Sequence, residues 1–276
     1  MKRMATIGAG AVLALALAGT AFAAATVGFG TATNFAVLAG TTITNAGATT
    51  ITGDVGLHPG TAVTGFTTVT LTGATHYGDA VALKAKNALV TAYNNAAGAS
   101  PVTAVPTELG GTTLTAGVYG SDTLGLTGTL TLDGAGVYIF QAASTLITAP
   151  NSTVALINGA SACNVFWQVG SSATLDTSTS FKGTILALTS ITMAGGVTLD
   201  GRALARNGDV TLINDTIDAS ACATPTPSVP FTDTVTTTPG ALSDPTSVPI
   251  IALLVVTTAA LIGMLRLATK RSRSRA

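Results

Sequence analysis

Charge is scarce in this chain. Only 9% of its 276 residues are Asp, Glu, Lys or Arg, and only 5% are aromatic. So few aromatic rings weaken sugar stacking as a mode of recognition. His58 and His76 are the only histidines, and neither stands at ligand spacing from Asp54 or Asp79, so a metal centre has no support. Both read as turn or cap residues. No G-x-S-x-G nucleophile elbow and no phosphate loop is present. The charges that could serve a polysaccharide-cleaving solenoid are Lys182, Arg202 and Arg206 with Asp176, Asp200 or Asp209. These are scattered over turns, whereas glycoside cleavage needs two carboxylates flanking one cleft. The expectation is a protein without catalytic residues, cofactor, metal or small-molecule substrate.

The formal charge of zero conceals an asymmetry. All 12 acidic residues lie between two apolar ends, while seven of the 12 basic residues lie outside them. The stretch between the ends carries 5 basic against 12 acidic residues, a net of −7. That sign argues against nucleic acid as a partner. At the N-terminus, Lys2 and Arg3 precede the apolar run Ile7 to Leu17 and the small-residue box Ala21-Phe22-Ala23, so residues 1–23 read as a secretory signal peptide. At the other end, Val248 to Leu265 is an uncharged run of 18 residues followed by Arg266, Lys270, Arg271, Arg273 and Arg275. This predicts a transmembrane anchor at 248–265 with a basic cytoplasmic tail at 266–276 and the rest of the chain outside the cell. No Leu-Pro-x-Thr-Gly sorting motif precedes it.

Residues 223–247 are rich in Pro, Thr and Ser and read as an extended stalk. At ~3.1 Å per residue, about 25 residues would span up to roughly 80 Å. The two cysteines, Cys163 and Cys222, face an oxidising compartment in this topology. Export favours a disulfide between them, with two unpaired thiols as the alternative.

Thr, Ser, Gly and Ala are abundant, and from Ser144 to Ile217 one short pattern returns four times. A large apolar residue closes each copy: Val154, Phe181, Leu199 and Ile217. Thr153, Ser180, Thr198 and Thr216 stand one residue before, and Asn151, Ser178, Gly196 and Asn214 three residues before. The closers are separated by 27, 18 and 18 residues. Units that short must stack on one another to bury a core. Alternation with period two turns the closers inward and the hydroxyls outward. The expected product is a nearly uncharged ladder on one flat face.

Residues 26–222 read as one mainly β domain. Phe35 to Thr72 is strand-like with glycine punctuation. The period then changes over about 79–97, where Ala82, Ala85, Leu89, Ala92 and Ala96 share one helical stripe. Thr75 or Asp79 can cap its start and Gly98 its end. Beyond Pro101 to Gly111, short strands separated by Gly, Asn and Asp turns resume, as a β-solenoid requires. Thr and Val favour strands for steric reasons alone, so Thr richness by itself says little about function.

Several segments resemble the microbial ice-binding proteins of the DUF3494 family. They are Thr33-Asn-Phe-Ala-Val-Leu-Ala-Gly40, Ile51-Thr-Gly-Asp-Val-Gly56, Pro59-Gly-Thr-Ala-Val-Thr-Gly-Phe66, Gly117-Val-Tyr119, Leu130-Thr-Leu-Asp-Gly134, Asn164-Val-Phe-Trp-Gln-Val-Gly170 and Gly201-Arg-Ala-Leu-Ala205. The likeness implies an irregular right-handed parallel β-helix of triangular cross-section, with one long α-helix packed alongside. It also implies ice, or ordered water, as the ligand of a flat solenoid face. Some family members carry a T-A/G-x-T/N motif on that face. Thr61-Ala62-Val63-Thr64 and Thr148-Ala149-Pro150-Asn151 fit it, whereas Thr177 to Ser180 and Ala194 to Thr198 do not. With the ladder, this gives the expected ice-contacting set: Thr148, Ala149, Asn151, Thr153, Thr177, Ser178, Ser180, Gly196, Thr198, Asn214 and Thr216. In this reading Gly196, Asp176 and Ser178 interrupt the ladder. The competing expectation is a surface adhesin or carbohydrate-binding solenoid that kept the scaffold without the ice plane.

Overall fold

The computed structural model describes residues 26–222. The expected signal peptide (1–23), stalk (223–247), anchor (248–265) and tail (266–276) lie outside them. Among the described residues no helix is long and apolar enough to cross a membrane.

Short parallel strands stack into a β-helix with three faces. A fifteen-stranded sheet supplies two of these, because the long strands Ser180–Ala187 and Thr198–Ala205 each run across a corner and pair on both sides of it. A separate seven-stranded sheet supplies the third. At the corner within the long strands the backbone passes through Gly183 and Gly201, both at positive φ. A Cβ on Gly201 would lie 2.0 Å from the carbonyl oxygen of Gly183 in the rung beside it, so only glycine fits there.

The stacking order does not follow the sequence. The chain first lays down the coils at one end, with strands Phe35–Ala39, Thr42–Ala46 and Thr50–Thr52. After the helix it starts again at the far end with Val102–Ala104 and winds back. The last coil docks on the first: Ala203 pairs with Val37, Val210 with Ile43 and Thr216 with Thr50. The final strand, Thr216–Asp218, therefore lies inside its sheet, between Thr198–Ala205 and Thr50–Thr52. The Cys163–Cys222 disulfide closes a sequence separation of 59 and ties down the segment that follows this strand.

Inward side chains fill the coil. Val154, Phe181, Leu199 and Ile217 are fully buried. Burying such a residue stabilises the fold by roughly 1.5–3 kcal/mol. Tyr119, Phe140 and Trp167 stack in successive rungs, with ring centroids 5.5 and 4.1 Å apart, and Phe181 follows at 4.8 Å.

One face is buried on both sides. Its strands, such as Val165–Val169, lack polar alternation because the helix Ala80–Ala97 covers them. Asp79 caps the helix by accepting from the Ala82 amide at 2.7 Å, and Gly98 is the C-cap. Ala82, Ala85, Leu89, Ala92 and Ala96 are all buried, so the Ala-rich stripe lets the helix lie close to the sheet. Polar contacts fix it further: Lys86 Nζ donates to the carbonyls of Ala205 and Arg206, and Gln141 Nε2 donates to that of Ala96. Burial lowers the Lys86 pKa to about 7, with repulsion from Arg206 as the lesser cause.

Candidate functional site

With one face under the helix, two remain open. On the first, which we term the hydroxyl face, one outward column is an unbroken run of hydroxyl side chains. Thr129, Thr153, Ser180, Thr198, Thr216, Thr50 and Thr70 stand in direct register through six consecutive strand pairings. At about 4.8 Å per rung the column is roughly 29 Å long. Thr129, Thr198, Thr216, Thr50 and Thr70 are exposed, while Thr153 and Ser180 are partly covered. A β-branched threonine is restricted at χ1, so the array is ordered before it meets a ligand.

Sequence reasoning finds four of these seven. Thr50 and Thr70 escape it because the N-terminal coils stack under the last one, far away in sequence, and Thr129 because its rung precedes the stretch from Ser144 to Ile217 in which the pattern repeats. A signal for two of them is present nonetheless. The pattern hydroxyl, apolar, any residue, Gly occurs at Ser180–Gly183 and Thr198–Gly201, and also at Thr50–Gly53 and Thr70–Gly73. Its glycine marks the corner and its hydroxyl the column.

The small and amide residues three places before each closer have a different role. Asn151, Ser178, Gly196 and Asn214, with Gly47 in the adjoining rung, all have positive φ. They form the corner between the two open faces, and Asn151, Ser178, Gly196 and Asn214 each donate the backbone N–H to the next rung, as Asn151 does to Thr177 and Asn214 to Ala46. Asn and Gly tolerate this left-handed conformation best, which accounts for the residue types without any ligand. Gly196, Asp176 and Ser178 therefore do not interrupt the ladder. They sit on or beside its corner, and the hydroxyl column passes them unbroken.

Thr148 requires a correction. It points inward and is 1% exposed, with its hydroxyl 3.0 Å from that of Thr179 and accepting from the Asp176 amide. It cannot touch a surface ligand. Ala149 is partly covered, whereas Thr177 is exposed on the corner beside the ladder. The two T-A-x-T/N segments do not share a face. Thr61 to Thr64 ends in an edge strand of the seven-stranded sheet, and Thr148 to Asn151 runs from the interior to the corner.

Between the corner and the hydroxyl column runs a buried polar line containing Ser152, Thr179, Asp215 and Thr49. Asp215 accepts from the amides of Val197 at 2.9 Å and Ile213 at 2.7 Å. Burial raises its pKa to about 6 despite those bonds.

The seven-stranded face carries its own outward column: Gly125, Ile147, Thr174, Thr192, Thr211, Thr44 and Thr64 in register. Five of these are threonines, and no local pattern encodes their alignment. Here Ile147 is 53% exposed, and the Thr211 hydroxyl donates to Asp209, which also accepts from Ser190.

The candidate charges for catalysis are dispersed. Arg202 is buried on the helix-covered face, where it donates to the carbonyls of Thr33 and Cys222, and burial lowers its pKa to about 10. Arg206 lies 4.6 Å from the Tyr93 ring centroid, Lys182 pairs with Asp200, and Asp209 holds Ser190 and Thr211. His76 Nδ1 lies 2.9 Å from Asp79 Oδ2 at the helix start. Among the described residues no group of three or more His, Cys, Asp or Glu is placed to hold a metal ion.

Known proteins share this arrangement. The profile of the ice-binding-like family matches residues 37–218. An ice-binding protein of Nostoc sp. (strain HG1) is 48% identical over 204 residues, covering 71% of this chain and 74% of the relative. One from Flavobacterium frigoris (strain PS1) is 34% identical over 212 residues, covering 69% and 75%. Among solved structures, an ice-binding protein from an Antarctic biological consortium superposes with a TM-score of 0.70 at 47% identity, over 72% of this chain and 93% of that one. An ice-binding protein from an Arctic yeast, described with antifreeze activity, gives 0.67 at 30% identity, over 70% and 94%. This chain belongs to the ice-binding-like family.

Proposed function

We propose that the protein binds ice by adsorption through the hydroxyl face, and that it works without catalysis. The observation that carries this reading is the seven-residue column of Thr and Ser in register on a face the helix leaves open. Ice offers no pocket-sized ligand, so recognition must come from a broad, flat surface that holds water in a regular array. Threonine methyl groups support cage-like water while the hydroxyls anchor it. A stiff side chain loses little entropy when that layer joins the lattice. Long charged side chains would have the opposite effect.

The relatives' names and the family match support ice as the ligand. The corner residues Asn151, Thr177, Ser178, Gly196 and Asn214 border the column and extend the surface. Bound molecules would slow recrystallisation and lower the freezing point. The signal-like N-terminus, the Pro/Thr/Ser-rich stretch and the apolar C-terminal run support export and display at the cell surface, anchored by residues 248–265.

The five-threonine column of the seven-stranded face favours a second reading, with the contact on that side. Thermal hysteresis and recrystallisation inhibition by a 26–222 fragment test the proposal. Activity at micromolar concentration is expected. A folded fragment without activity at high micromolar concentration, but with affinity on a glycan array, would establish the adhesin reading instead.

A further inference from the structure

Beside the hydroxyl column runs a second outward column on the same face, and it is not uniform. At one end lie Thr113, Thr131 and Ala155, in register through two strand pairings. At the other lie Thr52 and Thr72. Between them stand the only charged outward residues of the two columns: Lys182, Asp200 and Asp218, with Asp200 in register with both neighbours. Lys182 Nζ contacts Asp200 Oδ2, and the lysine chain lies along the surface, its side chain 22% exposed against 43% for Asp200.

The strip is held in place from below. The Lys182 carbonyl accepts from Trp167 Nε1 at 2.9 Å, and Gly183 and Gly201 fix the corner directly after Lys182 and Asp200. The charges therefore project from fixed backbone positions. Their net charge is −1: with Lys182 on Asp200, Asp218 has no cation beside it among the described residues, and beyond the Ser220 amide that it accepts at 2.8 Å its carboxylate is left to water. Water held tightly around a carboxylate is oriented by the charge and does not adopt the arrangement that a lattice demands. A lysine reaching from its own outward position to that of Asp200 also fills space in which a lattice-like layer would form.

We infer that Lys182, Asp200 and Asp218 set the boundary of the ice contact. They confine adsorption to the first column and its corner, and they cut the second column into two runs too short to contribute. This inference rests on the hydroxyl face being the ice-binding face. On it, the strip makes the native contact one column wide where the backbone provides two. These three residues then act as specificity determinants that limit how much surface can engage ice.

The test replaces the strip in the 26–222 fragment by K182T, D200T and D218T together, continuing the threonine column across the gap. Thermal hysteresis at equal concentration is expected to rise at least twofold, with an unchanged melting temperature. Unchanged or reduced hysteresis in a folded triple variant overturns the inference, a reduction meaning that the charges themselves contact ice. If the threonine variant does not fold, the amide set K182Q, D200N and D218N keeps side-chain size while removing charge. A rise supports the inference there too, and its absence overturns it. Thr198→Tyr in the unaltered fragment separates the two levels: if it leaves activity intact, the choice of face is wrong, whatever the strip does.

Discussion

The hydroxyl face and the seven-stranded face are built from the same turns of chain and share one corner, yet they differ in what they present. Both have seven rungs in register, and both use threonine, as strand sterics favour. On the hydroxyl face the first column has no apolar or charged member from Thr129 to Thr70. On the other, Gly125 and Ile147 replace hydroxyls at one end, and Thr211 is committed to Asp209. Threonine content therefore does not distinguish the two faces. Continuity of the column and freedom of its hydroxyls do, and our proposal rests on that difference.

Core substitutions should make the two faces look alike, because beneath the outer columns they are equivalent. Leu199→Ala under the hydroxyl face and Leu212→Ala under the seven-stranded face each remove a fully buried side chain. Each is expected to cost about 2–5 kcal/mol in denaturant unfolding. Hysteresis per folded molecule should be unchanged in both. A selective loss of activity in one would tie the inner column to ice binding and break the equivalence.

Removing the disulfide should separate the faces. Cys163→Ser with Cys222→Ser opens a loop with a sequence separation of 59, for which chain entropy gives a loss of about 4 kcal/mol. The clamp lies just beyond Thr216–Asp218, a hydroxyl-face strand, so the amides of that strand should exchange faster before those of Val210–Ile213. Equal acceleration in both strands would show that the last coil opens as one unit.

The smallest effect concerns the shared corner. Asp215 has its pKa raised from 3.8 to about 6 in the folded protein, so the folded state holds this proton more tightly than the unfolded chain does. Its contribution to stability is complete below about pH 4, declines as pH rises to about 6, and is constant above that. Asp215→Asn should flatten this part of the stability–pH profile without altering the relation between the faces. An unchanged slope would remove Asp215 as its source.

Much of the architecture was legible in the sequence, for identifiable reasons. The helix announced itself through the stripe from Ala82 to Ala96 and its caps. The closers Val154, Phe181, Leu199 and Ile217 announced the coil. Continuous apolar runs such as Phe35–Ala39 mark the covered face, while alternation such as Thr129–Asp133 marks an open one. Less of the site was legible. Register between Thr216 and Thr50 arises from docking of the last coil on the first, a contact across 166 residues that no local pattern encodes. Asn151, Ser178, Gly196 and Asn214 read as ligand contacts from their small polar side chains, and a left-handed corner selects those same residue types, so sequence does not separate the two causes. Thr148 is the one misplaced: a hydroxyl that fits a surface motif is spent inside the coil on Thr179 and Asp176.

The most direct test sets one bulky substitution on each open face. Thr198→Tyr and Thr192→Tyr each place a ring at an outward position, in the hydroxyl column and the seven-stranded column respectively. Thermal hysteresis of the two variants, with melting temperatures to confirm folding, reads out the face that meets ice. The hydroxyl-face account predicts a loss of most of the hysteresis for Thr198→Tyr and little change for Thr192→Tyr. The opposite pattern, or full activity in both, would contradict it.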